Sequence, residues 1–173
     1  GSIENRARLL LEVTAAVVKE IGAERTGLRI SPVSPASGIS SNDPQPQYNY
    51  IAEQLNALGI VYLHVVEGAT GGPRDVAPFD YDALRQRFKH TYLANNGYNL
   101  ELATTRLTDG KADLFAFGRP FIANPDLVER LKAGAPLAMP NSCKRCLNAL
   151  RPDNLPSTIL LADQPTSSAR MIS

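Results

Sequence analysis

The sequence predicts an α/β fold built around a parallel sheet that helices cover. Four short segments, at 26–32, 60–68, 90–95 and 112–117, have the length and apolar composition of buried strands. Segments with helical spacing of apolar residues precede and separate them. Because parallel strands are buried on both faces and are joined through helices, this alternation is typical of a parallel sheet.

The helices are predicted from apolar spacing together with start and stop residues. The first runs over 3–21, where Ser2 can cap the start and Gly22 can end the helix. Further helices are predicted at 48–58, at 80–89, at 99–109, and from an N-cap at Asn124 with Pro125 in the first helical position to about Gly134.

The loops divide the chain into two predicted parts. A long loop covers 33–47, and a glycine-rich loop, GATGGPRD, covers 68–75. Residues 1–138 form the α/β part. Residues 139–173 are rich in Pro, Ser and Asn and show no helical or strand period, so they are predicted to be an irregular, unassigned tail.

Composition excludes several classes of partner. The formal net charge is +1, so no basic surplus indicates nucleic acid or an anionic membrane surface. No apolar run approaches a membrane span, and the polar start is unlike a signal peptide, so we expect a cytoplasmic chain. Cys143 and Cys146 form a single CxxC without further ligands nearby, and no metal site is predicted.

A phosphate site is one interpretation of two adjacent strand ends. Gly118 and Arg119 directly follow the strand at 112–117, and Asn96–Gly97 follows the strand before it. Glycine allows a ligand to approach the backbone, and exposed amides beside a guanidinium suit a phosphate. The alternative is a surface arginine after an ordinary turn.

Three other polar residues occur in or beside the strands. Arg29 lies within an apolar strand, where we expect it to point into a pocket, or else to pair with an acid such as Glu67. His64 is at mid-strand, where a hydrogen-bonded core histidine is the commoner case than a base. Glu67 ends its strand and can hold a ligand or pair with Arg29.

Five segments in this order resemble the C-terminal half of the Old Yellow Enzyme family of FMN-dependent alkene reductases. They are GSIENRARLLLEV, GLRISP, YLHVVEG, LANNGY and AFGRPFIANPDLVERL. The resemblance covers residues 1 to about 138. It implies the second half of a (β/α)8 barrel, with about four parallel strands alternating with helices and FMN across their carboxyl ends.

The resemblance also implies roles for individual residues. Arg29 matches the arginine at the N1/C2 edge of the flavin, where negative charge develops on reduction. Gly118 and Arg119 match the FMN phosphate site, and Asn96 and Gly97 match its second turn. The implied cofactors are FMN and NAD(P)H as hydride donor, and the implied substrate is a small activated alkene. No catalytic residue is assigned.

The resemblance leaves the first four strands of the family unmatched, together with its substrate-binding pair and its tyrosine proton donor. The expected function is therefore that of an FMN-binding oxidoreductase of this type, present as a fragment. The alternatives are a non-catalytic flavin- or phosphate-binding half-barrel remnant, and a different small α/β module for a phosphorylated metabolite. Unpaired edges of a half barrel predict a homo-oligomer or a complementing half-barrel chain.

Overall fold

A computed structural model gives the fold of most of the chain. It describes residues 1–38 and 40–139, and the backbones of 159–162 and 169–172. Cys143 and Cys146, with the CxxC motif they form, lie outside the described residues.

Helices and strands alternate along the first part of the chain, as predicted. The helices are α1 Ile3–Ile21, α2 Pro44–Leu58, α3 Tyr81–Arg87, α4 Leu100–Thr108, α5 Arg119–Ala123 and α6 Leu127–Ala133. The strands are β1 Gly27–Ile30, β2 Tyr62–Val66, β3 Thr91–Asn95, β4 Leu114–Ala116, β5 Ile159–Ala162 and β6 Ala169–Ile172.

The described strands form one sheet in the order β1-β2-β3-β4-β5-β6. Strands β1 to β4 pair in parallel, which confirms the predicted topology. Strands β5 and β6 continue the sheet in antiparallel pairing beyond β4. The expectation of no regular element in 139–173 is wrong at these two segments, because the paired edge of β4 supplies backbone hydrogen bonds that no sequence period reveals.

The two faces of the sheet differ. One face packs against the helices through a core that includes Leu63, Val65, Tyr92 and Phe115. Because side chains alternate along a strand, the residues between them point to the other face, which we call the inner face. The aligned residues Arg29, His64, Leu93 and Leu114 lie across it in one row.

Two helix starts differ from the prediction. Helix α2 begins at Pro44, since proline is favoured in the first helical turn, and this shortens the loop expected at 33–47. Asn124 is the C-cap of α5 rather than an N-cap. Its side chain instead donates to the Pro120 and Ala138 carbonyls at 2.8 and 3.0 Å, and α6 starts two residues later than predicted, after Asp126.

Among the helices of the described part of the chain, none has both the length and the apolar character needed to cross a membrane.

Candidate functional site

A cavity of about 480 Å³ lies at the carboxyl ends of β3 and β4. Four of the residues predicted to bind a cofactor line this cavity together: Asn96, Gly97, Gly118 and Arg119. Gly71 and Gly72, in the part of the glycine-rich loop at 68–74, form a third side, and residues 137–139 complete the wall. The carboxyl edge of a parallel sheet is where such folds bind their ligands.

Arg119 and Gly118 form the β4 side of the cavity. The Arg119 side chain is exposed, and its guanidinium donates a hydrogen bond to the Gly71 carbonyl oxygen. A Cβ built at Gly118 would meet no atom within 4 Å, so the space beside this backbone is open. Among the described residues, none accepts a hydrogen bond from the backbone amide of Gly97, Gly118 or Arg119. These free donors and the guanidinium suit an anion.

The Asn96–Gly97 turn forms the β3 side, but the Asn96 side chain does not face a ligand. Its Nδ2 donates to the carbonyl oxygens of Glu67 at 2.7 Å, Ala69 at 3.0 Å and Gly72 at 3.2 Å. Its φ of 98° lies in the left-handed region that favours glycine. The side chain therefore secures the 68–74 loop, and the turn offers a ligand its backbone only.

A buried ionic cluster lies behind this turn. Glu67, at the end of β2, has no exposed surface and pairs with the Arg74 guanidinium. The Tyr98 hydroxyl donates to the same Glu67 oxygen at 2.7 Å, and the Arg74 guanidinium lies 4.3 Å from the Tyr98 ring centroid. Arg106 approaches the other Glu67 oxygen at 3.9 Å from the helix side. The carboxylate charge is thus compensated from two directions.

The surroundings of Tyr98 and Arg74 in this cluster raise the pKa of both groups. Burial, followed by the neighbouring Glu67 charge, raises the pKa of Tyr98 to about 12. Hydrogen bonding to Tyr98 and the charge of Glu67 outweigh burial and raise the pKa of Arg74 above its usual value. At neutral pH Tyr98 therefore keeps its proton and Arg74 keeps its charge, so these two residues act as structural elements.

Arg29 differs from its prediction. Its side chain is exposed instead of buried in a pocket, and it does not line the cavity. It does not pair with Glu67, whose partner is Arg74. On the inner face it is aligned with His64. Burial, and then the positive charge of Arg29, lower the pKa of His64 to about 4, so this imidazole is neutral at pH 7.

Sequence reasoning missed Arg74 and Gly71. Both lie in the glycine-rich loop, which was predicted only as a loop. A signal was present in the sequence, because a loop containing a cation follows a strand that ends in an acid, and oppositely charged residues so placed can pair. The contact from Arg119 to Gly71 joins residues 48 positions apart and has no local signal.

Comparisons with known proteins agree with this geometry. The NADH:flavin oxidoreductase / NADH oxidase family matches residues 1–138. A Leishmania infantum protein named "Probable flavin mononucleotide-dependent alkene reductase" is 41% identical over 141 residues, which cover 82% of this chain and 38% of that protein.

Two solved structures are similar in fold over the same part of the chain. The old yellow enzyme from Trypanosoma cruzi has a TM-score of 0.76 and 32% identity, and the match covers 81% of this chain and 37% of that one. Morphinone reductase in complex with tetrahydroNAD has a TM-score of 0.74 and 42% identity, covering 82% and 38%. The four parallel strands of this chain and their helices therefore correspond to half of a (β/α)8 barrel.

The chain spans about 38% of the length of the relatives it matches. With a match over residues 1–138, strands and helices in the predicted order and a cavity at the expected sheet edge, the chain belongs to the NADH:flavin oxidoreductase / NADH oxidase family.

Proposed function

We propose that this chain binds FMN and provides the flavin-holding half of an NAD(P)H-dependent reductase of activated alkenes. The observation that carries the proposal is the cavity at the ends of β3 and β4. Its lining includes the cationic Arg119, and the backbone amides of Gly97, Gly118 and Arg119 have no acceptor among the described residues. Family membership and the name of the Leishmania infantum relative support the choice of FMN among phosphate-containing ligands.

The phosphate of FMN would lie against Arg119, with Gly118 allowing close approach and Gly97 supplying a backbone donor. These residues fit the group because the space beside Gly118 is open and the amides have no acceptor within the described part of the chain. The charge-assisted hydrogen bonds of Arg119 are the strongest contacts that this site offers to a dianion.

Arg29 would contact the other end of the same ligand. It lies on the inner face three strands from Ala116, which lines the cavity. Strand spacing and rise place the two backbones about 16 Å apart along the sheet. A ligand that reaches both must be elongated, as is a mononucleotide that carries a tricyclic ring.

In this proposal the described residues of the site would bind the ligand and polarise it. Bound FMN would supply the hydride chemistry between NAD(P)H and the alkene. The exposed cation of Arg29 would stabilise negative charge at the electron-rich edge of the ring. His64, neutral at pH 7 beside Arg29, adds no second positive charge to this face.

We further propose a nicotinamide hydride donor such as NADPH, a small activated alkene as substrate and a cytoplasmic location. The tetrahydroNAD complex of morphinone reductase supports a nicotinamide donor in the related protein.

A further copy or a complementing half-barrel chain is proposed as partner, because one side of α1 is apolar and exposed. Leu9, Val13, Val17 and Ile21 follow one another at four-residue spacing and are 73%, 54%, 39% and 49% exposed. They extend over about 18 Å of helix. Strand β1 also has no partner on its outer edge among the described strands.

The test of FMN binding is a fluorescence titration of the purified chain with FMN, followed by gel filtration to detect retained flavin. Arg119→Ala should weaken binding at least 10-fold, since a hydrogen bond to a charged group contributes about 1.5–3 kcal/mol. Arg8→Ala is the matched control, because Arg8 is an exposed arginine on α1, away from the cavity.

The outcomes separate the interpretations. Binding that Arg119→Ala alone weakens supports the flavin site, and alkene-dependent oxidation of NAD(P)H would then distinguish an enzyme from a non-catalytic remnant. No retained flavin, or equal losses in Arg119→Ala and Arg8→Ala, would refute the proposed site.

A further inference from the structure

Gly71 and Gly72 of the 68–74 loop line the cavity beside the residues that follow β3 and β4. Its tip, Gly71, accepts the hydrogen bond of the Arg119 guanidinium. A Cβ at Gly71 would come within 3.3 Å of the Arg119 Nη2, so the two groups are closely packed. The position of this loop therefore sets the position of the guanidinium.

The loop is closed on itself by backbone hydrogen bonds. The Ala69 amide donates to the Pro73 carbonyl and the Gly72 amide donates to the Ala69 carbonyl, both at 2.9 Å. Gly68 makes this closure possible, since its φ is 85° and a Cβ there would overlap the Arg74 backbone. These two bonds break only when the loop opens, so exchange of the Ala69 and Gly72 amides reports whether the base of the loop is held.

Arg74 fastens the base of the loop to both neighbouring strand ends. Its Nη2 pairs with the buried carboxylate of Glu67, and its Nη1 donates to the Asn96 carbonyl oxygen at 3.0 Å. Its aliphatic stem lies under the turn, with Cδ 3.6 Å from the position of a Cβ on Gly97. Arg74 itself does not line the cavity.

We propose that Arg74 is a positioning residue, which places the Arg119 guanidinium by fixing the 68–74 loop between the ends of β2 and β3. The inference rests on the proposed function where it concerns FMN, because that function assigns Arg119 to the phosphate. The claim that Arg74 holds the loop to which Arg119 is hydrogen-bonded does not depend on the ligand.

Arg106 provides a matched control. It approaches the same Glu67 carboxylate at 3.9 Å, but from α4, and it also contacts Asp82 at 3.5 Å. It touches neither the loop nor the turn at 96–97 in the hydrogen bonds and ion pairs of the described residues. Loss of either arginine removes one positive charge beside Glu67, whereas only loss of Arg74 also removes a contact between the loop and the 96–97 turn.

The experiment compares Arg74→Ala, Arg74→Lys and Arg106→Ala with the unchanged chain. Amide hydrogen exchange at Ala69 and Gly72 is measured without ligand, and the Kd for FMN is measured by fluorescence. We expect at least 10-fold faster exchange at both amides and a 10-fold or greater rise in Kd for Arg74→Ala, against less than 2-fold changes for Arg106→Ala.

If Arg74→Ala does not fold, Arg74→Lys still tests the proposal. A lysine keeps the charge beside Glu67 but lacks the planar fork that reaches Asn96 at the same time. We expect intermediate exchange and intermediate Kd, with a melting temperature close to that of the unchanged chain.

Equal changes in the Arg74 and Arg106 variants would overturn the inference, because the effect would then follow the Glu67 charge balance and not the loop. A chain that binds no FMN would refute the proposed function alone. Exchange at Ala69 and Gly72 would still decide whether Arg74 holds the loop.

Discussion

The neutral, half-buried His64 predicts a specific loss of stability in mild acid. Its pKa is about 4 in the folded chain, because of burial and the charge of Arg29, against 6.5 for an unperturbed histidine. Between these two values the unfolded chain binds a proton that the folded chain excludes. Stability from this group is therefore complete above pH 6.5 and is lost as the pH falls toward 4.

The size of the loss follows from the two pKa values. From pH 7 to pH 5 the linkage relation gives a decrease of about 1.8 kcal/mol in the free energy of unfolding. Because His64 retains some contact with solvent, we expect a measured value of about 1–2 kcal/mol.

The assay is urea unfolding followed by circular dichroism at pH 7, 6 and 5, with His64→Gln as the test variant. Glutamine does not titrate, so this variant should lose about 1–2 kcal/mol less than the unchanged chain over the same range. Carboxylates titrate in both proteins, and the difference removes their contribution. His90→Gln, at the exposed second histidine, is the control substitution.

A second variant tests the cause of the shift. Arg29→Ala removes the neighbouring charge, so the pKa of His64 should rise and the pH dependence should shrink, as an NMR titration of the imidazole would report. If His64→Gln and the unchanged chain lose the same free energy between pH 7 and pH 5, the reasoning about this face of the sheet is refuted.

Three further predictions concern the cluster and the exposed helix. Tyr98→Phe should destabilise the chain by about 1–2 kcal/mol, because it removes a hydrogen bond to buried Glu67. Tyr92→Phe should cause no measurable loss of stability, since the Tyr92 hydroxyl is buried with no partner among the described residues. Equal losses of stability in thermal unfolding would contradict this prediction. Gly68→Ala should cost more than 2 kcal/mol, beyond the roughly 1 kcal/mol expected for Gly110→Ala, which has a similar φ of 66° but open space around a Cβ. Leu9→Glu should reduce any self-association seen by light scattering without lowering the melting temperature, and an unchanged oligomer would exclude this side of α1 as the contact.

The parallel arrangement of β1 to β4 was predictable because it rests on local signals. Apolar runs of strand length and helices with amphipathic spacing are both properties of neighbouring residues, and they selected the fold class correctly. Helix α1 shows this best, since Ser2 and Gly22 bound it as expected. The start of α6 was wrong because the Asn124 side chain bonds to Ala138, which is a tertiary contact.

In the candidate site too, some features follow from local sequence and others from tertiary contacts. The adjacency of Gly118–Arg119 and Asn96–Gly97 could be predicted from the residues alone, because strand ends in a parallel sheet meet at one edge. Three contacts appear only in the folded chain: the Asn96 side chain secures a loop, Glu67 pairs with Arg74 and not with Arg29, and Gly71 accepts the hydrogen bond of Arg119. Those contacts join residues 7 to 48 positions apart, and their partners are chosen by the direction in which each folded strand end presents its side chains.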